Sequence, residues 1–142
     1  MLEAGNGDDD PTTLRLSKAE AASRQLECAI RLFFAEDDPV SVHTLTCAAL
    51  QVFSDILLAK GAGGITRNPF LIKEGKFKEW IAAGKKHENF FKHADKDSED
   101  MIDFSGRLTE IYLFEACHLG EIVTQRPTLA IRTFKIWMMK EK

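Results

Sequence analysis

Three consecutive residues, Asp37-Asp38-Pro39, constrain this chain more than any others. They separate two long stretches of helical period and leave almost no chain to connect them. Before them, Ala19, Ala22, Leu26, Ala29, Ile30 and Phe33 recur at the spacing of one helix face. After them, Val42, Leu45, Ala49, Val52, Phe53 and Ile56 do the same. The Asp38 carboxylate can accept from the free amides that open a helix, and Pro39 suits a first turn that needs no amide. Two helices joined so tightly should fold back on each other as an antiparallel hairpin.

The outer ends of that hairpin are also marked. Ser17 and Glu20 have the spacing of a capping box, so the first helix starts there and runs to about Glu36. Glu20 with Arg24, and Glu27 with Arg31, are i,i+4 pairs on its outer side. The second helix runs to about Lys60. It stops at Gly61-Ala62-Gly63-Gly64, where a glycine can take the left-handed conformation.

Asn68-Pro69 opens a short apolar turn, Phe70-Leu71-Ile72. A third helix carries Phe77, Trp80, Ile81, Gly84 and Phe91 on one side and ends near His93 or Ala94. A polar loop from Asp95 to Asp100 follows, then a short extended piece from Met101 to Phe104. Ser105 caps a fourth helix to about Val123. Pro127 sits in the first turn of a fifth, whose basic end holds Lys135, Lys140 and Lys142. No alternating segment is long enough to build a sheet. The expectation is an all-α fold, an antiparallel helical bundle of four main helices plus a C-terminal fifth. Residues 16–142 form a single domain behind a flexible segment, 1–15.

Composition narrows the partners. The chain has 142 residues, of which 44% are hydrophobic, enough for one core. Its formal net charge of -3 gives no general basic field for nucleic acid or a membrane surface. Cys28, Cys47 and Cys117 are odd in number and lack CxxC spacing, which points to reduced thiols and a cytoplasmic location. The acidic start, MLEAGNGDDD, lacks the basic and apolar regions of a signal peptide, and no uninterrupted apolar run suggests a membrane span.

Some polar residues exceed what a plain bundle requires. On the fourth helix Leu108, Ile111, Tyr112, Leu119 and Ile122 share one face, with Glu115 in its middle and His118 at its edge. A buried carboxylate must be paired, protonated or metal-bound. The commonest solution is an arginine, a tyrosine or a backbone amide from a neighbouring element. The other is a ligand, since Glu115-Ala116-Cys117-His118 has the Glu-x-x-His spacing of carboxylate metal sites in bundles. Those sites use the motif twice, and here it occurs once. A single metal would need Glu115, His118 and a third ligand such as His43, which sits at the rim of the second helix's buried face. A histidine hydrogen-bonded at a helix boundary is the commoner reading of His43.

The stretch HENFFKHADKD, from His87 to Asp97, is the other concentration. Trp80, His87 and Phe91 share the inner face of the third helix. Lys86, Asn89 and His93 fall in line on nearly the opposite side, at i,i+3,i+7. A solvated helix end is the plain reading. The functional one gives Lys86 a phosphate, Asn89 a substrate group and His93 a proton near neutral pH. Asp95, Asp97, Asp100 and Asp103 lack the central glycine and final glutamate of an EF-hand, and Gly61 to Gly64 lack the lysine of a P-loop.

The long first helix, the tight hairpin, the alanine-bearing second helix with His43 and the later polar motif with histidine resemble the HEPN superfamily. That resemblance implies a small all-α bundle, often dimeric, that cleaves RNA or binds nucleotides as an accessory domain. In Lys86-His87-Glu88-Asn89-Phe90-Phe91-Lys92-His93, His93 matches the family's histidine and His87 its polar position. Lys86 stands where the family has arginine, and a lysine lacks the planar fork that grips phosphate. The chain is also similar to small bacterial helical-bundle proteins with a comparable NFFKHAD segment.

These features predict a small binding or regulatory protein without a cofactor. Its ligand would meet the exposed stripe, with His43, His87, Glu115 and His118 as the further ligand-contacting or buried polar residues. The alternative is a metal-independent ribonuclease using Lys86, Asn89 and His93. A further alternative is a single-metal bundle on Glu115 and His118. Phe134, Trp137, Met138 and Met139 give the last helix more apolar surface than a free tail needs, so a homodimer is expected. RNA or a nucleotide is the expected ligand class, and no membrane partner is expected.

Overall fold

A computed structural model describes residues 10–67 and 77–141, the side chains of residues 77, 78, 80 and 81 apart. The helices are α1 (Lys18–Phe34), α2 (Pro39–Ala59), α3 (Phe77–Lys92), α4 (Arg107–Thr124) and α5 (Leu129–Glu141). No strand occurs among the described residues. The fold is an all-α bundle with α2 at its centre. α1 packs along one side of α2 and α4 along another, α3 touches it more lightly, and α5 lies against α1 and α4. The expected turn at Asn68-Pro69 and Phe70-Leu71-Ile72 lies outside the described residues, as do the Phe77, Trp80 and Ile81 side chains, the first nine residues and Lys142.

The hairpin forms as its residues dictate. The Glu20 amide donates to the Ser17 hydroxyl at 3.0 Å and the Ser17 amide returns to the Glu20 carboxylate at 3.2 Å, closing the capping box. α1 ends with the Glu36 amide on the Phe33 carbonyl at 3.1 Å and the Asp37 amide on Leu32 at 3.0 Å. Asp38 then accepts from the Ser41 amide at 3.0 Å and its hydroxyl at 2.7 Å, which holds the Asp38 carboxyl below its usual range. α2 stops at Gly61, whose φ of 78° is left-handed. Gly61 donates to Leu58 at 3.0 Å and Ala62 to Leu57 at 2.9 Å, the paired bonds of a Schellman motif.

Two expected caps are displaced. Gly106, not Ser105, is the residue that precedes α4, and the Ser105 hydroxyl, one position earlier, accepts from the Arg107 amide at 3.4 Å. Pro127 lies before α5, and Thr128 does the capping, accepting from the Ile131 amide at 3.3 Å. Thr128 also donates to Glu27 at 2.5 Å and so ties the start of α5 to α1. The expected i,i+4 ion pairs on α1 do not form. Glu20 is committed to the cap and Glu27 to Thr128, so neither carboxylate meets Arg24 or Arg31.

The core runs through Leu26, Ile30, Leu50, Phe53, Leu113 and Phe134. Burying each such side chain is worth roughly 1.5–3 kcal/mol. α2 is buried beyond its predicted stripe because it packs on more than one side; His43, Thr46, Cys47, Leu50 and Ser54 are all inside. Among the described residues it is also the one helix long and apolar enough to cross a membrane, and half of that window is buried in the bundle. α4 is rotated from the expected stripe. Ile111 and Ile122 are exposed, while Leu113, Ala116, Cys117 and Gly120 face inward. The cause is space: a Cβ on Gly120 would lie 3.1 Å from the Phe53 ring and 3.3 Å from Leu26. Burial pushes the Cys47 and Cys117 thiols up to about 12.

The apolar surface of α5 is partly used within the chain. Phe33 packs edge-on against Phe134 and Trp137, with ring centroids 5.4 and 5.1 Å apart. Ile136 and Met139 remain exposed.

Candidate functional site

The fold divides the polar residues between a buried layer and an open surface. In the buried layer, the carboxylate of Glu115 faces the turn that follows α2. Its Oε1 accepts from the Ile65 amide at 2.5 Å and the Thr66 amide at 3.0 Å, and its Oε2 accepts from the Thr66 hydroxyl. Backbone amides therefore solve the burial problem. Gly64 makes the approach feasible, because a Cβ there would sit 2.5 Å from Oε1. His118 lies three residues on and is exposed, so the two halves of the Glu-x-x-His motif do not share an interior cavity. Among the described residues no group of three or more His, Cys, Asp or Glu side chains is arranged to hold a metal ion.

His43 is fully buried. Its Nδ1 lies 2.7 Å from the Thr109 hydroxyl and its Nε2 lies 3.4 Å from the Cys47 sulfur. Burial first, then the neighbouring His87, lowers its pKa to about 4, so the ring is neutral at physiological pH. His87 lies beside it, ring centroids 6.2 Å apart. His87 Nε2 is 3.0 Å from the Asp103 carbonyl, which only accepts, so Nε2 carries a proton and donates. Its Nδ1 is buried with no partner among the described residues. Phe91, Phe104 and Tyr112 surround His43 at centroid separations of 5.9, 5.1 and 6.1 Å. Two histidines singled out in the sequence are thus brought together inside an aromatic shell.

The centre of this layer escaped the sequence reading. Arg67 and Glu88 are both buried and form an ion pair. The guanidinium also donates to the Gln51 amide oxygen and stands 5.8 Å from the centroid of the Tyr112 ring. Tyr112 donates to the Gly84 carbonyl at 3.0 Å, and its burial raises its pKa. Together these bonds fasten α3 to α2, α4 and the turn at residues 64–67. Glu88 was legible in principle. It stands four residues after Gly84 and three before Phe91, on the inner face, but a run of charges surrounds it. Arg67 follows a glycine-rich stop and belongs to no periodic pattern, so nothing in the sequence marked it.

The open surface lies on the other side of α3. Lys86, Asn89 and His93 are all exposed and line a shallow cavity of about 730 Å³ with Phe90 and Ile102. Its far rim carries Asp95, Asp97 and Asp100 beside Lys96. The helix ends here, so its carbonyl end also contributes partial negative charge. The HENFFKHADKD segment is therefore split. His87 and Glu88 serve the buried layer, while Lys86, Asn89 and His93 face water. A cation, an amide and an imidazole in line can hold a polar ligand.

No protein-family model matches the chain, and no curated protein and no solved structure matches it.

Proposed function

We propose that this protein is a HEPN-like binding or regulatory module, cytoplasmic and dimeric, that meets its ligand at the Lys86–Asn89–His93 surface. The observation that carries the reading is the division of labour within α3. Its inner face is consumed by structural bonds, and its outer face leaves three ligand-capable groups lining one cavity. Glu115, the residue with the best claim to metal chemistry, is occupied by the turn amides. The cavity is of mixed sign, with lysines facing aspartates, and so suits a compact polar ligand such as a nucleotide held by short directional bonds. The exposed Ile136 and Met139 of α5 are the proposed dimer contact.

A second reading rests on the same cavity. If the ligand is RNA, His93 is placed to act as base with Lys86 and Asn89 steadying the phosphate, a metal-independent ribonuclease of HEPN type. One experiment separates the two. Purified protein is incubated with RNA in excess EDTA, beside His93→Ala, and nucleotide binding is followed by calorimetry on both. Nucleotide binding that weakens in His93→Ala without cleavage supports the module. Cleavage by the wild type alone establishes the nuclease. Neither cleavage nor binding sinks both. Light scattering on the same samples tests the dimer.

A further inference from the structure

The far wall of the α3 cavity is a single run of chain. Asp95, Lys96, Asp97, Asp100, Met101 and Ile102 line it, and all stand between the end of α3 and Phe104. Its aspartates are exposed, and its own bonds are local. The Asp100 amide donates to the Asp97 carbonyl at 3.0 Å and the Met101 amide to the Asp100 carboxylate at 2.9 Å. Among the described residues, one hydrogen bond joins residues 95–104 to the rest of the chain, from His87 Nε2 to the Asp103 carbonyl at 3.0 Å. Beside it, the Phe104 ring sits among His43, His87 and Phe91, at centroid separations of 5.1, 5.5 and 5.1 Å. No hydrogen bond or ion pair among the described residues crosses the cavity from this wall to Lys86, Asn89 or His93.

We infer that residues 95–104 form a strap that opens and closes over the α3 cavity, with the His87–Phe104 contact as its catch. The inference rests on the reading of that cavity as the ligand surface. Segments held by few bonds open more often than the fold as a whole, and binding loops are drawn from them. This catch is light. A hydrogen bond of this kind shifts a local equilibrium by roughly two- to tenfold. The His87 ring is held through Nε2 alone, since its Nδ1 has no partner among the described residues. The seat of the catch is fixed from behind. His43, against which both rings pack, is fully buried and lies 2.7 Å from the Thr109 hydroxyl on α4. The moving part is therefore the strap. Its aspartates and the Lys86 of the opposite wall do not pair with each other, so a ligand with both donors and acceptors bridges the two walls and draws the strap in. His87 acts on that ligand through the strap, as a positioning residue.

The strap supplies its own cleavage sites. Endoproteinase Asp-N cuts before aspartates, and Asp95, Asp97, Asp100 and Asp103 all lie on the strap. Asp55 lies inside α2, where cleavage requires global opening. Cleavage of a fast-opening segment follows its open population. His87→Leu removes the donor to Asp103 and keeps apolar bulk beside Phe104. Full-length His87→Leu should be cut within the strap about three- to tenfold faster than the wild type, with no change at Asp55, read by mass spectrometry. His87→Gln places an amide N–H near the position of Nε2 and should restore the wild-type rate. ATP, the nucleotide probe, should slow strap cleavage in the wild type and bind several-fold more weakly to His87→Leu than to His87→Gln. Equal strap cleavage in the wild type and His87→Leu overturns the inference. So does a rise matched at Asp55, a His87→Gln strap as labile as that of His87→Leu, or bound ATP that leaves strap cleavage unchanged. ATP that does not bind at all counts against the nucleotide reading alone, and the cleavage rates of the wild type and the two variants then decide the strap.

Discussion

The Arg67 guanidinium and the Glu88 carboxylate meet with side chains only 4% and 7% exposed, an ion pair almost wholly out of water. Removing two charges from solvent is costly, and leaving one of them alone is costlier. Arg67→Met or Glu88→Leu alone should therefore cost about 3–5 kcal/mol in urea unfolding. The double substitution should cost less than either single one, because no orphaned charge remains. Additive losses would show that the two groups stabilise the fold independently.

Glu115 should behave as a structural residue. Glu115→Ala leaves the Ile65 and Thr66 amides without their acceptor and should cost about 2–4 kcal/mol. Glu115→Gln keeps a carbonyl oxygen for the amides and should cost less. Gly64→Ala should mimic the alanine loss, since its Cβ meets the carboxylate at 2.5 Å and Leu119 at 2.8 Å. His118→Ala, at an exposed site, should stay within about 0.5 kcal/mol of the wild type. A His118 loss as large as that of Glu115, in metal-free protein, would contradict this arrangement.

These residues also show what a sequence makes legible. The hairpin was readable because Ser17, Asp38, Pro39 and Gly61 act through bonds a few residues long. The all-α class followed from periodicity. Glu115 was recognisable as anomalous because a carboxylate on an apolar face needs an explanation, but its partner lies about fifty positions away in a turn without a pattern. Arg67–Glu88 was missed for the same reason, as both ends of a long-range polar bond must be known before either looks unusual. The rotation of α4 was missed because periodicity counts apolar residues, whereas helix packing selects small ones, here Ala116 and Gly120. The α1 ion pairs failed because the capping box and Thr128 compete for the same glutamates.

Acid should loosen the fold as the pH falls from 6.5 toward 4. His43 has its pKa lowered from 6.5 to about 4, chiefly by burial, with His87 opposing its charge, Glu88 favouring it and Arg67 opposing it. Between those values the unfolded chain takes up a proton that the folded chain resists. Stability is therefore intact above pH 6.5 and falls as the pH drops toward 4. The full shift corresponds to roughly 3 kcal/mol. His43→Gln keeps a hydrogen-bonding group for Thr109 but cannot titrate, so its melting temperature should lose most of this slope. An unchanged slope in that variant would assign the acid sensitivity elsewhere.

The turn between α1 and α2 holds a residue that the backbone tolerates poorly. Glu36 has a φ of 52°, and its amide and that of Asp37 close α1. A side-chain-bearing residue in this left-handed region costs roughly 1–2 kcal/mol, which glycine avoids. Against that, glycine makes the unfolded chain more flexible, by about 0.5–1 kcal/mol. The relief outweighs the loss, so Glu36→Gly should stabilise the protein by up to about 1 kcal/mol, or about 3 °C in melting temperature. Ala35→Gly is the control. Ala35 has a φ of -76°, an ordinary helical value, so glycine there brings only the entropic loss and should lower the melting temperature. If both variants melt lower, the left-handed turn carries no strain that glycine can relieve.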